Sequence, residues 1–236
     1  MILYGKPVAD ALREQYAERI EAMAWKRTLT VIKDDTSDKG YLAAIQREAE
    51  KWKAHVVYAA SAIDAAQKGA HHVIDIRREP QPMIGFVAVD GQDIWGQLQT
   101  YRGMLCERTA CTAEAIIRML DYYNIPIAGK HAVVIGRSER VGKPTAMLLL
   151  ARDATVMVCH SKTDKAKLIE QVGNADIVVC ASGQKGLIDW TRVPDGCTVI
   201  NVGGDYDECG ERLNLIPFKG GVGPVTTAVL MSHVLM

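Results

Sequence analysis

The chain has 236 residues, with 28 Lys plus Arg against 28 Asp plus Glu, and 48% of its residues are hydrophobic. A chain of this length buries roughly 70–75% of its unfolded surface, so it can build one large or two small domains without covalent staples. The even charge balance supplies no field to attract a nucleic acid or an anionic membrane. No apolar run reaches 18 residues, and Met1-Ile2-Leu3-Tyr4 runs into Gly5-Lys6 without a signal-like segment, so a soluble, cytoplasmic protein is expected. The cysteines Cys106, Cys111, Cys159, Cys180, Cys197 and Cys209 form no CxxC pair and no Cys/His zinc spacing. Free buried thiols and no metal site are therefore expected.

In chain order, apolar spacing predicts a helix over 6–24, with Pro7 near its start, where a missing N–H is harmless. A short strand Leu29–Ile32 follows, then a helix Tyr41–Lys53, a strand His55–Tyr58 and a helix over 61–69. Strand signals at His72–Ile74 and Ile84–Val87 are weak, and Thr112 is placed to cap a helix running to about Tyr123. Asp34, Asp35 and Asp38 read as solvated loop residues, and His71-His72 as surface. From Gly129 the pattern sharpens into strands 131–135, 155–158, 176–179 and 198–200, with helices 143–152 and 165–172 between them. A last capped helix is expected over Thr226–Leu235. Short apolar strands alternating with helices predict an α/β fold with a parallel sheet covered on both faces.

The run Val134-Ile135-Gly136-Arg137-Ser138-Glu139-Arg140-Val141-Gly142-Lys143-Pro144 joins a strand to a helix. Exposed N–H groups and the positive end of that helix would favour a phosphate. The glycines are six apart, so the turn differs from the G-x-G-x-x-G fingerprint. An NAD site places an acid at the end of the second strand, on the ribose 2′-OH. Here that strand ends Val158-Cys159-His160-Ser161-Lys162-Thr163, with no carboxylate. A hydroxyl and a cation there, with Arg137 and Ser138 in the turn, suit the 2′-phosphate of NADP; Lys162 itself reads as a solvated surface residue.

The run Gly136-Arg137-Ser138-x-x-Val141-Gly142-Lys143-Pro144 resembles the signature of the methylenetetrahydrofolate dehydrogenase/methenyltetrahydrofolate cyclohydrolase (FolD) family. Thr155 to Thr163, Ala175 to Gly183 and Gly220-Gly221-Val222-Gly223-Pro224-Val225-Thr226 resemble it too. The resemblance implies an N-terminal α/β substrate domain (1–122, completed by a C-terminal helix 223–236) and a Rossmann-type NADP-binding domain (123–222). It implies a folate-type substrate, a homodimer, and hydride transfer from 5,10-methylenetetrahydrofolate to NADP followed by hydrolysis of the methenyl product. Carried over, Gly136, Arg137, Ser138, Val141 and Gly142 belong to the cofactor turn, Ser161 lies near the 2′-phosphate, and Gly203 and Gly204 lie towards the nicotinamide. Asp90, Thr112, Gly221, Gly223 and Pro224 fall on the substrate side, and Tyr41 matches the family's catalytic tyrosine.

The departures concentrate in the N-terminal half. The family places a lysine four residues after its tyrosine, and here that position is Ile45. Arg47, two residues on, points about 200° away around the helix. Val73 to Arg78 replaces the family's Gln-Leu-Pro-Leu-Pro, Ile84-Gly85-Phe86 its Asp-Gly-Phe, and Cys111-Thr112-Ala113 its Cys-Thr-Pro. Weak or absent cyclohydrolase activity is expected. Tyr41, Ile45, Ala49 and Trp52 also form a stripe suited to core packing, so a structural role for this face stands beside the catalytic one. An NADP-dependent oxidoreductase of another substrate and a non-catalytic NADP-binding protein are the alternative readings.

Overall fold

The structure, a computed structural model, describes residues 1–70, 72–77, 87–88, 110–205 and 212–235. The expectations for His71, Asp90, Cys106, Cys209 and strand residues 84–86 lie outside these residues. The chain divides into two compact units, one of Ala9–Cys111 with Thr226–Met236, the other of Met1–Val8 with Thr112–Val225.

The first unit has helices α1 (Gly5–Gln15, entering from the other unit), α2 (Ala17–Ala22), α3 (Lys39–Lys51) and α4 (Ala62–Gln67). Its strands β1 (Thr28–Ile32), β2 (His55–Ala59), β3 (His72–Asp75) and β4 (Val87–Ala88) form a parallel sheet in the order β2-β1-β3-β4. Ile32, Ala59, Ala65 and Val73 are buried together where α4 covers the sheet. The helix expected over 6–24 breaks at Tyr16, whose amide reaches only as far back as Arg13 O, at 3.1 Å. Tyr16 instead lays its ring 5.7 Å from that of Trp52, a tertiary contact that outweighs helical periodicity. Asp38 is an exposed loop residue, as expected, and its carboxylate also accepts the Tyr41 amide at 2.7 Å and caps α3. His72 is buried on β3, contrary to its surface reading.

The second unit begins with α5 (Cys111–Tyr122), at whose start the units divide. Thr112 is the second residue of this helix rather than its cap. Then come β5 (His131–Ile135), α6 (Gly142–Ala151), β6 (Thr155–Cys159), α7 (Lys165–Gly173), β7 (Ile177–Cys180), a 3-10 turn (Trp190–Arg192), β8 (Thr198–Asn201) and β9 (Asn214–Ile216). The last helix, α8 (Val222–Leu235), passes back into the first unit. All five strands are parallel, in the order β6-β5-β7-β8-β9. The strand β9 was not expected. It is pinned by the N-terminus, where the Leu3 amide donates to Leu215 O at 2.7 Å and the Leu215 amide to Met1 O at 2.8 Å. Val133, Ile135, Val178, Cys180 and Val199 are buried with Leu168 and Val172 of α7. Such nearly all-apolar strands are what a parallel sheet covered on both faces requires.

The two sheets share one strand order. In each, the first strand is internal, the second lies on one side of it and the third on the other. The direction in which successive strands are added across the sheet therefore reverses between β1 and β3, and again between β5 and β7, while the strands stay parallel. In open α/β sheets ligands bind outside the carboxyl ends of the strands at such a reversal.

Cys159, Cys180 and Cys197 are free and buried in the second unit. Burial raises the pKa of each thiol; Cys197 is pushed up to about 12 and Cys180 well above its ordinary value. The thiolate is the nucleophile, so peptides carrying these cysteines should stay unlabelled by N-ethylmaleimide at pH 8 in the native protein and label fully in denaturant. Native labelling at the rate of a free thiol would contradict their burial.

Candidate cofactor site

The site is built at the reversal between β5 and β7. Gly136 follows β5 with φ +124°, and a Cβ there would lie 2.4 Å from the Ala181 carbonyl oxygen. A Cβ on Gly142 would lie 2.3 Å from the Gly136 carbonyl oxygen. The six-residue spacing now has a cause, because the loop folds back until the start of α6 rests on the turn that opened it. The turn is tied on both sides, by the Gly136 amide to Cys159 O and the Ala181 amide to Ile135 O, each at 2.8 Å.

The amides expected to face a phosphate are largely used within the loop. Ser138 Oγ accepts from the Val141 and Gly142 amides at 3.2 and 3.3 Å, and Ser138 O accepts from the Lys143 amide at 3.0 Å. Pro144 has no N–H. Anion recognition here must rest on side chains and on the turn before the helix.

Beyond β6, residues 160–163 close a tight turn. The His160 amide donates to Thr163 Oγ1 at 2.9 Å, and the Thr163 amide to His160 O at 2.8 Å. His160 Nδ1 accepts the Lys162 amide at 3.2 Å, which leaves the proton of the neutral ring on Nε2. Asp164, the nearest acid, caps α7 by accepting the Ala166 and Lys167 amides at 2.9 and 3.2 Å.

Beyond β7, the buried Asp205 holds the loop. It accepts the Ser182 amide at 3.0 Å, the Ser182 hydroxyl at 2.6 Å and the Gly183 amide at 2.7 Å, while its own amide donates to Asn201 Oδ1 at 3.0 Å. Sequence reasoning missed Asp205. Its signal was the run Gly203-Gly204-Asp205 after β8, where a Cβ on Gly203 would lie 2.3 Å from Asp205 Oδ1.

These loops enclose a cavity of about 510 Å³. Of the expected residues, Gly136, Arg137, Ser138 and Ser161 line it. Val141 and Gly142 lie at the start of α6, and Gly203 and Gly204 on the loop after β8, none of them in the lining. Leu168 and Leu187 supply apolar wall, and Lys165, Thr163 and Gln184, none of which was singled out from sequence, supply polar wall. Among the described residues, no aspartate or glutamate lines the cavity. Among the described residues, neither Arg137 nor Lys165 has an acidic partner, because Glu139 pairs with Lys143 instead. A volume within the range of ligand sites, an apolar wall, unpaired cations and glycines that admit no Cβ together fit a phosphorylated nucleotide.

Of the substrate-side residues, Thr112, Gly221, Gly223 and Pro224 do not line this cavity. Thr112 lies in α5, Gly221 just before α8, and Gly223 and Pro224 in the first turn of α8. Tyr41 stands half-buried in the first turn of α3, one turn before the fully buried Ile45. Among the described residues, no group of acids, histidines or cysteines could hold a metal ion, and no helix is long and apolar enough to cross a membrane.

Comparison with known proteins points one way. The family described as tetrahydrofolate dehydrogenase/cyclohydrolase, NAD(P)-binding domain, matches residues 110–236. The chain is 34% identical over 272 aligned positions to the bifunctional protein FolD of Nocardia farcinica, covering 99% of this chain and 95% of that one. A FolD of Streptomyces avermitilis is 48% identical over 133 positions, covering 52% of this chain and 46% of its own. Among solved structures, the bifunctional FolD methylenetetrahydrofolate dehydrogenase/cyclohydrolase of Campylobacter jejuni superposes with a TM-score of 0.83 at 25% identity, covering 100% of this chain and 97% of that one. A 5,10-methylenetetrahydrofolate dehydrogenase from the silkworm Bombyx mori superposes with a TM-score of 0.81 at 26% identity, covering 98% and 93%.

Proposed function

Because the chain belongs to the tetrahydrofolate dehydrogenase/cyclohydrolase family, we propose that it is an NADP-dependent 5,10-methylenetetrahydrofolate dehydrogenase of one-carbon metabolism with little or no cyclohydrolase activity. The observation that carries the cofactor choice is the cavity at the ends of β5 to β7, which among the described residues has Arg137 and Lys165 in its wall and no carboxylate. NAD needs an acid for its ribose 2′-OH; an acid-free, cationic wall suits the 2′-phosphate. NADP, when bound, supplies a nicotinamide that accepts a hydride. The chain's own part is to position the two reactants and exclude water, which is most of what hydride transfer asks of a protein.

In this reading Gly136, Arg137 and Ser138 hold the cofactor phosphates, Ser161 sits at the 2′-phosphate, and the backbone at 202–204 lies towards the nicotinamide. Residues 1–122 with 223–236 take the folate-type substrate, with Tyr41, Asp90, Thr112, Gly221, Gly223 and Pro224 on that side, and 123–222 take NADP. The protein works as a cytoplasmic homodimer. The loss of cyclohydrolase activity follows from Ile45, a buried apolar residue where the resemblance expects the lysine that manages proton and water chemistry. A positioned acid–base contributes typically 10²–10⁴-fold.

The test is to mix the purified protein with 5,10-methylenetetrahydrofolate and either cofactor. NADPH should form, kcat/KM with NAD should be lower by roughly tenfold or more, and the methenyl product should accumulate rather than pass to 10-formyltetrahydrofolate. No reduced cofactor over a wide range of enzyme concentration overturns the dehydrogenase reading, and prompt loss of the methenyl species overturns the cyclohydrolase part.

A further inference from the structure

The side chains that tell NADP from NAD in this chain can be narrowed further, on the reading that the cavity takes a dinucleotide. We infer that Lys165, with the Nε2–H of His160 beside it, is the cofactor-discriminating pair that takes the 2′-phosphate, and that Lys162 has no part in it. Four observations converge on this.

The first is position. Lys165 opens α7 and lines the cavity together with His160 and Ser161, whereas Lys162 is exposed and outside the lining. Only the amide of Lys162 is engaged, holding the imidazole ring at Nδ1.

The second is the fixed tautomer. With Nδ1 occupied as an acceptor at 3.2 Å, the neutral ring of a cavity-lining histidine has its donor on Nε2. A 2′-phosphate offers three strong acceptor oxygens, and a ribose hydroxyl offers none of comparable charge.

The third is that the helix terminus is not the anion site. Of the amides that open α7, those of Ala166 and Lys167 donate to the Asp164 carboxylate and that of Leu168 to Asp164 O at 3.0 Å, which leaves only the Lys165 amide open. A full positive charge in this corner comes from a side chain.

The fourth is the absence of competition. Asp164 directs its carboxylate to those amides, and among the described residues Lys165 has no ion-pair partner. In this charge-balanced chain, a lysine in a concave wall with no acid among the described residues is positioned for an anionic ligand rather than for a structural ion pair.

The experiment is calorimetric binding to the full-length protein, with 2′,5′-ADP, 5′-AMP, NADP and NAD as titrants and no folate present. Lys165→Met keeps the aliphatic stem and removes the charge. It should weaken 2′,5′-ADP and NADP by roughly tenfold to hundredfold while changing 5′-AMP and NAD by less than about twofold. His160→Phe should weaken the same two ligands selectively, and Lys162→Met should leave all four unchanged. Lys165→Arg should retain the preference. Equal losses for phosphorylated and unphosphorylated ligands, or a selective loss on Lys162→Met, would overturn the assignment. A wild-type chain that binds 5′-AMP as tightly as 2′,5′-ADP overturns the assignment and the NADP reading together. Because binding is read without folate, failure of the dehydrogenase assay alone leaves these results standing.

Discussion

Gly136→Ala should destabilise the second unit by roughly 2–6 kcal/mol and abolish dinucleotide binding, whereas Gly129→Ala should cost only about 1–2 kcal/mol and leave binding intact. Both glycines have positive φ, +124° and +72°, so both charge an L side chain for an unfavourable backbone. They differ in what the new methyl group meets. At Gly129 nothing lies within 4 Å. At Gly136 the methyl would sit 2.4 Å from the Ala181 carbonyl oxygen and 2.8 Å from its carbon, which are backbone atoms just beyond β7. Relieving that clash means parting the ends of β5 and β7 and losing the 2.8 Å bond from the Ala181 amide to Ile135 O. Those ends form the cavity floor, so fold and function should fail together. With total stabilities of about 5–15 kcal/mol for such proteins, a loss at the upper end could unfold the unit at ordinary temperature. Denaturant unfolding with NADP calorimetry on both variants decides it, and a Gly136→Ala variant no worse than Gly129→Ala would remove the steric account of the glycine spacing.

Much of this site was legible in the sequence because parallel sheets write themselves plainly. His131 to Ile135 and Ile177 to Cys180 are short apolar runs bounded by polar turns, and they became adjacent central strands. The spacing of Gly136 and Gly142 marked the loop, and the missing acid after β6 marked the cofactor. What stayed hidden were choices made by several weak local partners at once. Ser138 could equally have faced a ligand, but its hydroxyl and carbonyl oxygens accept the three amides that open α6. Lys165 and Lys162 look alike in sequence, and only the tight turn from His160 to Thr163 separates the one that lines the cavity from the one that does not. The strand β9 is three residues long; it pairs with β8, and its outer edge is held by Met1 and Leu3, more than 200 residues away, a distance at which no local pattern can speak. Thr112 had the chemistry of a cap, yet the helix begins one residue earlier, at Cys111. The polar caps were chosen by tertiary context, while the apolar strands were chosen by their own composition.

The same contrast decides what restoring the family's lysine would do. Ile45 is 0% exposed, and Ala49 and Trp52 on the same face of α3 are 1% exposed. Ile45→Lys would therefore bury an ammonium rather than present one to a substrate. Fully buried lysines have their pKa depressed by up to 3–5 units, and at 1.36 kcal/mol per unit the variant should lose about 4–5 kcal/mol at pH 7 and up to about 7 kcal/mol below the depressed folded pKa, beyond the cost of disturbed packing. The pH dependence gives the loss a signature. With the folded pKa below the unfolded value of about 10.4, the unfolded chain binds the extra proton, so stability rises with pH between the two values. The penalty should be fully present below the depressed folded pKa and should fade as pH climbs towards 10, opposite to the trend for the native thiols. Ile45→Met, which conserves volume, should cost less than about 1.5 kcal/mol at every pH. Urea unfolding of the three proteins from pH 6 to 10 measures the slope, and a methenyl-hydrolysis assay on the same samples measures the chemistry. A lysine variant as stable as the parent, with hydrolysis restored, would show that this face of α3 can open to substrate and that Tyr41 stands beside a working acid–base position. A destabilised, pH-sensitive variant without hydrolysis would mean that more than one substitution separates this chain from a cyclohydrolase, because the helix face itself has become core.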